Sequence, residues 1–293
     1  MQSPVKNNTA DKIIFEKESY SISYLGRDES FCIKIRDFLI FLEKKCKDDT
    51  KIESFTFSHY GGERMGLSLI NKRPISSIII NKEIKNKILK TVNLFLNNPQ
   101  FYSENNIPHK LNIMLHGPPG TGKTSLIKAI ATEFNLPIYN ISPSDINGDL
   151  LIKLSKKKKG VIAFEDVDAY DKFRKRSRDS NNKIIFPENH SDDGIASTLN
   201  FFDGIGSLEG FICILTTNYL EDIDSAIYRA GRMDLVQEIP QIEIKDIPNE
   251  FIHLVNDNET GVTGAVLKQR QMLLSQKEST GAVDKNSNDV DNE

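Results

Sequence analysis

Nine residues, His116 to Thr124, read His-Gly-Pro-Pro-Gly-Thr-Gly-Lys-Thr and constrain the fold more than any other stretch of this chain. They follow an apolar run, Leu111 to Leu115, and lead into a segment with helical periodicity, Ser125 to Phe134. A strand, a glycine loop and a helix in that order make a phosphate-binding turn. Gly117, Gly120 and Gly122 let the backbone turn tightly and come close to a ligand. Backbone N–H groups of the loop that runs through Pro118, Pro119 and Thr121 to Ser125 can then face phosphate oxygens, and the helix adds its positive dipole end. Lys123 brings a point charge to the β and γ phosphates, and Thr124 offers a hydroxyl to Mg²⁺. The loop is expected to bind a nucleoside triphosphate.

The segments that follow alternate between strand and helix patterns. Strands are predicted at Pro137 to Ile141, Gly160 to Phe164, Phe211 to Thr216 and near Val236 to Ile239, with helices near Asp145 to Ser155 and Gly194 to Phe202. Such alternation specifies an α/β fold with a mostly parallel sheet covered by helices on both faces. Ligands of these sheets sit at the carboxyl ends of the strands, where the phosphate loop already lies.

Two of those strand ends carry the remaining chemistry. Val161 to Phe164 is a buried-strand pattern that ends in adjacent carboxylates, Glu165 and Asp166, with Asp168 two residues on. Triphosphate hydrolysis needs one carboxylate to hold Mg²⁺, usually through water, and another to position the attacking water. Thr216-Thr217-Asn218 closes a second strand, so the Asn218 amide emerges on the same edge and can orient water or touch the γ phosphate. Arg229 and Arg232 flank Gly231 after a short helical turn, where they can reach the nucleotide of a neighbouring subunit and stabilise charge on the transferring phosphoryl group.

Ahead of the loop, Ser21 to Leu25 and Ile52 to Ser58 alternate apolar and polar residues, and Phe31 to Cys46 has helical spacing. Residues 1–72 therefore read as a small α+β module. Arg73-Pro74 marks a boundary, Ile75 to Ile80 an extended segment, and Lys82 to Leu96 a helix that Asn97-Asn98-Pro99 ends. After a core at 73–240, residues 241–275 read as a short helical lid and 276–293 as a polar, disordered tail.

In this order the phosphate loop, Glu165-Asp166, Thr216-Thr217-Asn218 and Asp224-x₄-Arg229-x-Gly231-Arg232-x-Asp234 resemble the P-loop NTPases of the AAA class, over about Pro74 to Ile239. Lys72-Arg73-Pro74, Phe101-Tyr102 with Ile107-Pro108, the Ser-Leu-Ile after Thr124, Glu165-Asp166-Val167-Asp168-Ala169, Asn200-Phe201-Phe202-Asp203-Gly204 and Thr216-Thr217-Asn218-Tyr219 are similar to the Bcs-type chaperones. Members of that family form heptameric rings in the mitochondrial inner membrane and move the folded Rieske iron-sulfur protein across it. The resemblance implies ATP and Mg²⁺ as cofactors, a homo-oligomeric ring of about six or seven subunits, and a protein substrate. It places Thr124 and Glu165 at the metal, Asp166 at the attacking water, Asn218 at the γ phosphate and Arg229 and Arg232 across the subunit interface. Most AAA proteins have Asp before Glu in the acidic pair, and Ala230 stands where the family usually has Pro. A non-hydrolysing nucleotide-dependent scaffold and a DNA-associated motor are the alternative readings.

Composition narrows the setting. A net charge of -3 gives no general attraction to nucleic acid or anionic lipid. The basic runs Lys156 to Lys159 and Arg174 to Arg178 lack interleaved aromatics and read as solvated loops. Asp171 to Asp193 reads as a mobile polar insertion. Cys32, Cys46 and Cys213 match no metal or redox spacing. Met1 to Asp11 has no signal-peptide pattern, and no apolar run reaches the roughly 20 residues needed to cross a bilayer. The expectation is a soluble, cytoplasmic protein, with mitochondrial association implied only by the resemblance. Threading rings carry an aromatic residue near Ile146 to Gly148, and none is present here.

Overall fold

The computed structural model describes residues 12–14, 21–23, 50–58, 64–146, 148–175, 177–178, 184–185, 198–202, 208–256 and 259–286. Five strands pair side by side as a parallel sheet: β5 (Leu111–His116), β6 (Ile138–Asn140), β7 (Val161–Phe164), β10 (Ile212–Thr217) and β11 (Leu235–Glu238). The spatial order is β11-β5-β10-β7-β6, so β5 and β10 lie next to each other near the centre. Every residue of β7 and β10 is buried. That fits strands covered on both faces, which read as continuous apolar runs.

Alternate residues along each strand serve different layers. Ile113 and Leu115 of β5, Ala163 of β7 and Ile214 of β10 pack with helices α1 (Lys82–Asn97) and α3 (Lys123–Glu133). Met114, Ile162 and Leu215 pack on the opposite face, with α4 (Gly148–Ser155) and Phe201 and Phe202 of α5 (198–202). Helix α1 starts where the Asn81 side chain accepts hydrogen bonds from the N–H groups of Glu83 and Ile84. It buries Ile88, Val92 and Phe95 along one face, each worth roughly 1.5–3 kcal/mol. It stops at Asn98, because Pro99 cannot continue it and instead opens α2 (Pro99–Glu104). Residues 75–80, expected to be extended, begin with a 3₁₀ turn at Ile75–Ser77.

The hairpin β3 (Lys51–Ser58) and β4 (Arg64–Asn71), read from sequence as part of a separate module, continues the central sheet. β3 pairs parallel with β6, Ser54 opposite Ile138, and β4 forms the edge. The open side of β6 accepts β3, and Phe55 stacks on Tyr139 with ring centroids 5.0 Å apart. The compact unit therefore begins at Thr50, not near residue 73, and the first 49 residues form a unit of their own. In that first unit β1 (Lys12–Ile14) and β2 (Ser21–Ser23) pair antiparallel. The helix expected over Phe31 to Cys46 lies outside the described residues. So does most of the 171–193 insertion, of which β8 (Ser177–Arg178) and β9 (Ile184–Ile185) form a short antiparallel ladder.

After β11 the chain forms β12 (Ile242–Glu243), two 3₁₀ turns at Ile244–Asp246 and Asn249–Leu254, and β13 (Gly261–Val262), which pairs with β12. Ile79, Ile242, Leu254, Val262 and Leu267 make a third apolar cluster here. The final helix is α7 (Gly264–Asn286), so the lid is a small mixed element, and the helix continues through residues expected to be disordered. Residues 265–279 contain neither Gly nor Pro and are rich in helix formers, which local polarity had masked. Arg270 fixes the helix to the turn before it through both guanidinium nitrogens on Glu259, at 2.7 and 2.6 Å, and through the Leu254 carbonyl at 2.7 Å. Residues 287–293 lie outside the description.

Candidate nucleotide site

The phosphate loop joins β5 to α3 as the sequence requires. Gly117, Gly120 and Gly122 have φ of 136°, 79° and 98°, which L side chains rarely adopt. At Gly117 the absence of a side chain is also spatial: a Cβ would lie 2.4 Å from the Ile239 carbonyl oxygen. The loop is joined to the C-terminal lid as well, since the Ala265 N–H donates to the Gly120 carbonyl at 3.2 Å.

Lys123 is buried, with three acceptors around its ammonium: Gly117 O at 2.6 Å, Pro118 O at 2.9 Å and Asn218 Oδ1 at 2.8 Å. Burial lowers its pKa, and the negative charges of Asp166 and Asp168 oppose that shift. Thr124 Oγ1 donates to Glu165 Oε2 at 2.8 Å, so the two residues expected at the metal meet directly. Asp166 stands in a left-handed conformation, φ 48°, with its N–H donating to the buried Thr216 Oγ1 at 2.9 Å. Such a backbone costs of order 1–3 kcal/mol and persists only where the surroundings enforce it, a pattern that clusters at functional sites. Asn218 is positioned in turn by Asp168, whose Oδ1 accepts its N–H at 3.1 Å.

A cavity of about 470 Å³ opens over this group, walled by Pro119 to Ser125 together with Asp166 and Asn218. Gly117 and Pro118 stand behind it and hold Lys123. Glu165 reaches it through Thr124. The far wall is Ile78, Ile79, Gly264 and Ala265, an apolar and small-residue slot suited to a flat heterocycle, with Arg73 and Lys268 at its margin. None of these six was singled out for the site in the sequence. Ile78 and Ile79 lie in an ordinary apolar run, and Gly264-Ala265 becomes part of the site only because β13 turns the chain back over the loop. The positioning roles of Asp168 and Thr216 were equally hidden, because each acts through one backbone N–H of another residue.

The two arginines have different places. Arg229 is exposed at the end of α6 (Ser225–Tyr228). Arg232 is buried in its own chain, with Nη1 donating to the Ala226 carbonyl at 2.6 Å and its own carbonyl accepting from Asn112 Nδ2 at 2.7 Å. Asp234 completes the staple by accepting from the Asn112 N–H at 2.8 Å. Of the basic runs, Arg174 is tied to the Asp168 carbonyl at 2.8 Å, and Lys159 lies over the Phe211 ring. Cys213 is wholly buried among apolar groups, which pushes its thiol up to about 12 and leaves it inert.

Comparison with known proteins agrees with this geometry. The profile of the ATPase family associated with various cellular activities (AAA) matches residues 113–241. The chain is 34% identical over 212 residues to the probable mitochondrial chaperone BCS1-A of Dictyostelium discoideum, covering 70% of this chain and 50% of that protein. The chain carries an AAA region and resembles the BCS1-type chaperones. Mitochondrial chaperone BCS1 of Danio rerio is 34% identical over 227 residues, 76% of this chain and 53% of its own length. The human BCS1 chaperone is 30% identical over 172 residues, 57% and 40% respectively. The chain thus spans about half the length of the curated relatives it matches. Among the described residues no helix is long and apolar enough to cross a membrane.

An AAA site implies a nucleotide and usually Mg²⁺, and the donor set suits both. Thr124 and Glu165 could offer hard oxygens of the kind that Mg²⁺ prefers, and so small a protein donor set would suit an ion that keeps most of its waters and phosphate oxygens.

Proposed function

We propose that this AAA ATPase hydrolyses ATP in an Mg²⁺-dependent reaction, works as a homo-oligomeric ring of about six or seven subunits, and moves or remodels a protein substrate. The observation that carries the reading is the convergence of Lys123, Thr124, Glu165, Asp166 and Asn218, from two strand ends and the first turn of one helix, around a single cavity. Lys123 neutralises the β and γ phosphates, and Thr124 with Glu165 would hold Mg²⁺, which when bound supplies charge neutralisation on phosphate oxygens. Asp166, exposed and fixed by Thr216, is placed to orient the attacking water and take its proton. Asn218 moves between Lys123 and the γ phosphate and so reports on the nucleotide state. The exposed Arg229 reaches a neighbour's phosphate across the interface.

The relatives' names describe mitochondrial chaperones, which supports a protein as substrate. Steady-state release of phosphate from MgATP, measured with particle mass in ATP, tests the reading. Expected are turnover that chelation abolishes and ring-sized particles. Tight ATP binding without turnover would identify a nucleotide-dependent scaffold instead, and strong stimulation by DNA would identify a nucleic-acid motor.

A further inference from the structure

Against the nucleotide cavity lies a second one of about 530 Å³ whose polar lining is dominated by cations. Lys72 and Arg73 come from the segment after β4, Lys128 from α3 and Lys268 from α7. Arg73, Ser77 and Lys268 belong to the walls of both cavities. Among the described residues, none of the four cations forms an ion pair with a carboxylate. Lys268 has only the Ser77 carbonyl, at 3.3 Å, and both its burial and the Arg73 charge disfavour its ammonium form. The backbone is held in place, since the Arg73 N–H donates to Thr132 Oγ1 at 3.0 Å. Converging like charges repel, and in a chain of net charge -3 their concentration at one cavity needs a counter-charge.

The phosphate loop's own ligand can meet Arg73 and Lys268, which also wall its cavity, but it does not reach Lys128. Lys128 is five residues beyond Lys123, or roughly 7.5 Å further down the axis of α3, whereas a triphosphate bound by the loop lies off the N-terminal end of that helix. We propose that this cavity is a second anion site, which takes a phosphate or pyrophosphate group beside the bound nucleotide. That group has two possible sources with the same chemistry, a separate phosphorylated small molecule or a phosphate on the nucleotide's own ribose. The site rests on the nucleotide cavity being a nucleotide site, but not on its hydrolysing anything.

Inorganic pyrophosphate, titrated calorimetrically into the full chain saturated with ADP without Mg²⁺, tests it. Pyrophosphate is expected to bind on top of ADP, more weakly as salt rises. Lys128→Glu should weaken it by about tenfold or more while ADP affinity stays unchanged, and Lys128→Arg should retain it. Lys90→Glu, the same charge change on an exposed position of α1, should have no effect. In Lys123→Ala, pyrophosphate binding should keep its dependence on Lys128, which separates failure of this site from failure of the nucleotide assignment. If the ribose is the source, adenosine 3′-phosphate 5′-diphosphate should instead outbind ADP by about tenfold, and Lys128→Glu should remove that gain. Absence of both pyrophosphate binding over ADP and preference for the ribose-phosphorylated nucleotide would overturn the proposal. So would losses as large in Lys90→Glu as in Lys128→Glu.

Discussion

The ammonium of Lys123 donates to the Asn218 side-chain oxygen at 2.8 Å, joining the phosphate loop to the end of the adjacent strand. The sheet register makes this meeting unavoidable: Thr217 of β10 lies opposite His116 of β5, so Asn218 is level with Gly117. All three ammonium protons are held by neutral acceptors. A γ phosphate would exchange them for charged ones, and charge-assisted bonds are roughly twice as strong.

Removing that cation should therefore be felt in binding. Lys123→Ala is expected to lower ATP affinity by about 10- to 100-fold, as loss of charged hydrogen bonds does. Asn218→Ala should keep most of the affinity and lose turnover. Calorimetric titration with far-ultraviolet circular dichroism as the folding check decides it. Unchanged binding in folded Lys123→Ala would remove the nucleotide from this cavity.

Glu165 and Asp166 are adjacent in sequence but differently employed. Glu165 accepts the Thr124 hydroxyl, and Asp166 is the exposed one, fixed through its N–H. Asp166→Asn should still bind ATP while kcat falls by about 10²–10⁴, the range for a lost general base. Glu165→Gln should instead raise the Mg²⁺ concentration needed for half-maximal rate. Reversed phenotypes would exchange the two assignments.

What the sequence reveals here follows from where each signal is stored. The loop, the acidic pair and Asn218 can be read because such residue types at such spacing suit one chemistry, and β5, β7 and β10 because each is an almost wholly buried run, whereas β11 is only half-buried and ends in Gln237 and Glu238. The hairpin 51–71 reads as part of another module because nothing local in Ile52 to Ser58 announces a partner 84 residues away. Lys72 enters the sequence reading only within Lys72-Arg73-Pro74 and Lys128 and Lys268 not at all, and only the fold brings them to one cavity. Arg229 and Arg232 look equivalent in sequence, and the Ala226 carbonyl separates them.

The close approach of Ile239 to the loop can be measured as stability. Gly117→Ala would put a methyl 2.4 Å from the Ile239 carbonyl oxygen, on a backbone already at φ 136°. A loss of roughly 2–4 kcal/mol is expected, strain and overpacking together. Gly122→Ala has no atom within 4 Å, so only its left-handed backbone should tell, at about 1–2 kcal/mol. Urea midpoints compare the two, and equal losses would mean that the contact with Ile239 does not constrain the loop.

The arginines decide whether one chain or two build each active site. Arg232→Ala removes a buried guanidinium and strands the Ala226 carbonyl, so its first effect should be a destabilisation of about 1–3 kcal/mol within its own chain. That makes it a poor probe of the interface. Arg229 is exposed, and Arg229→Ala should leave the unfolding midpoint within about 0.5 kcal/mol. It should nevertheless bind ATP and hardly hydrolyse it, losing about 10³–10⁵ in kcat if the guanidinium acts from a neighbour. Asp166→Asn is inactive for a different reason. Mixing the two variants before assembly creates interfaces in which an intact Asp166 faces an intact Arg229, and those should recover activity. Because subunits locked with ATP can stall a ring, the recovery is to be followed across mixing ratios, with mass measurement establishing mixed rings. Mixed rings no more active than the separate variants at any ratio would place the arginine's action, if it has one, inside its own chain.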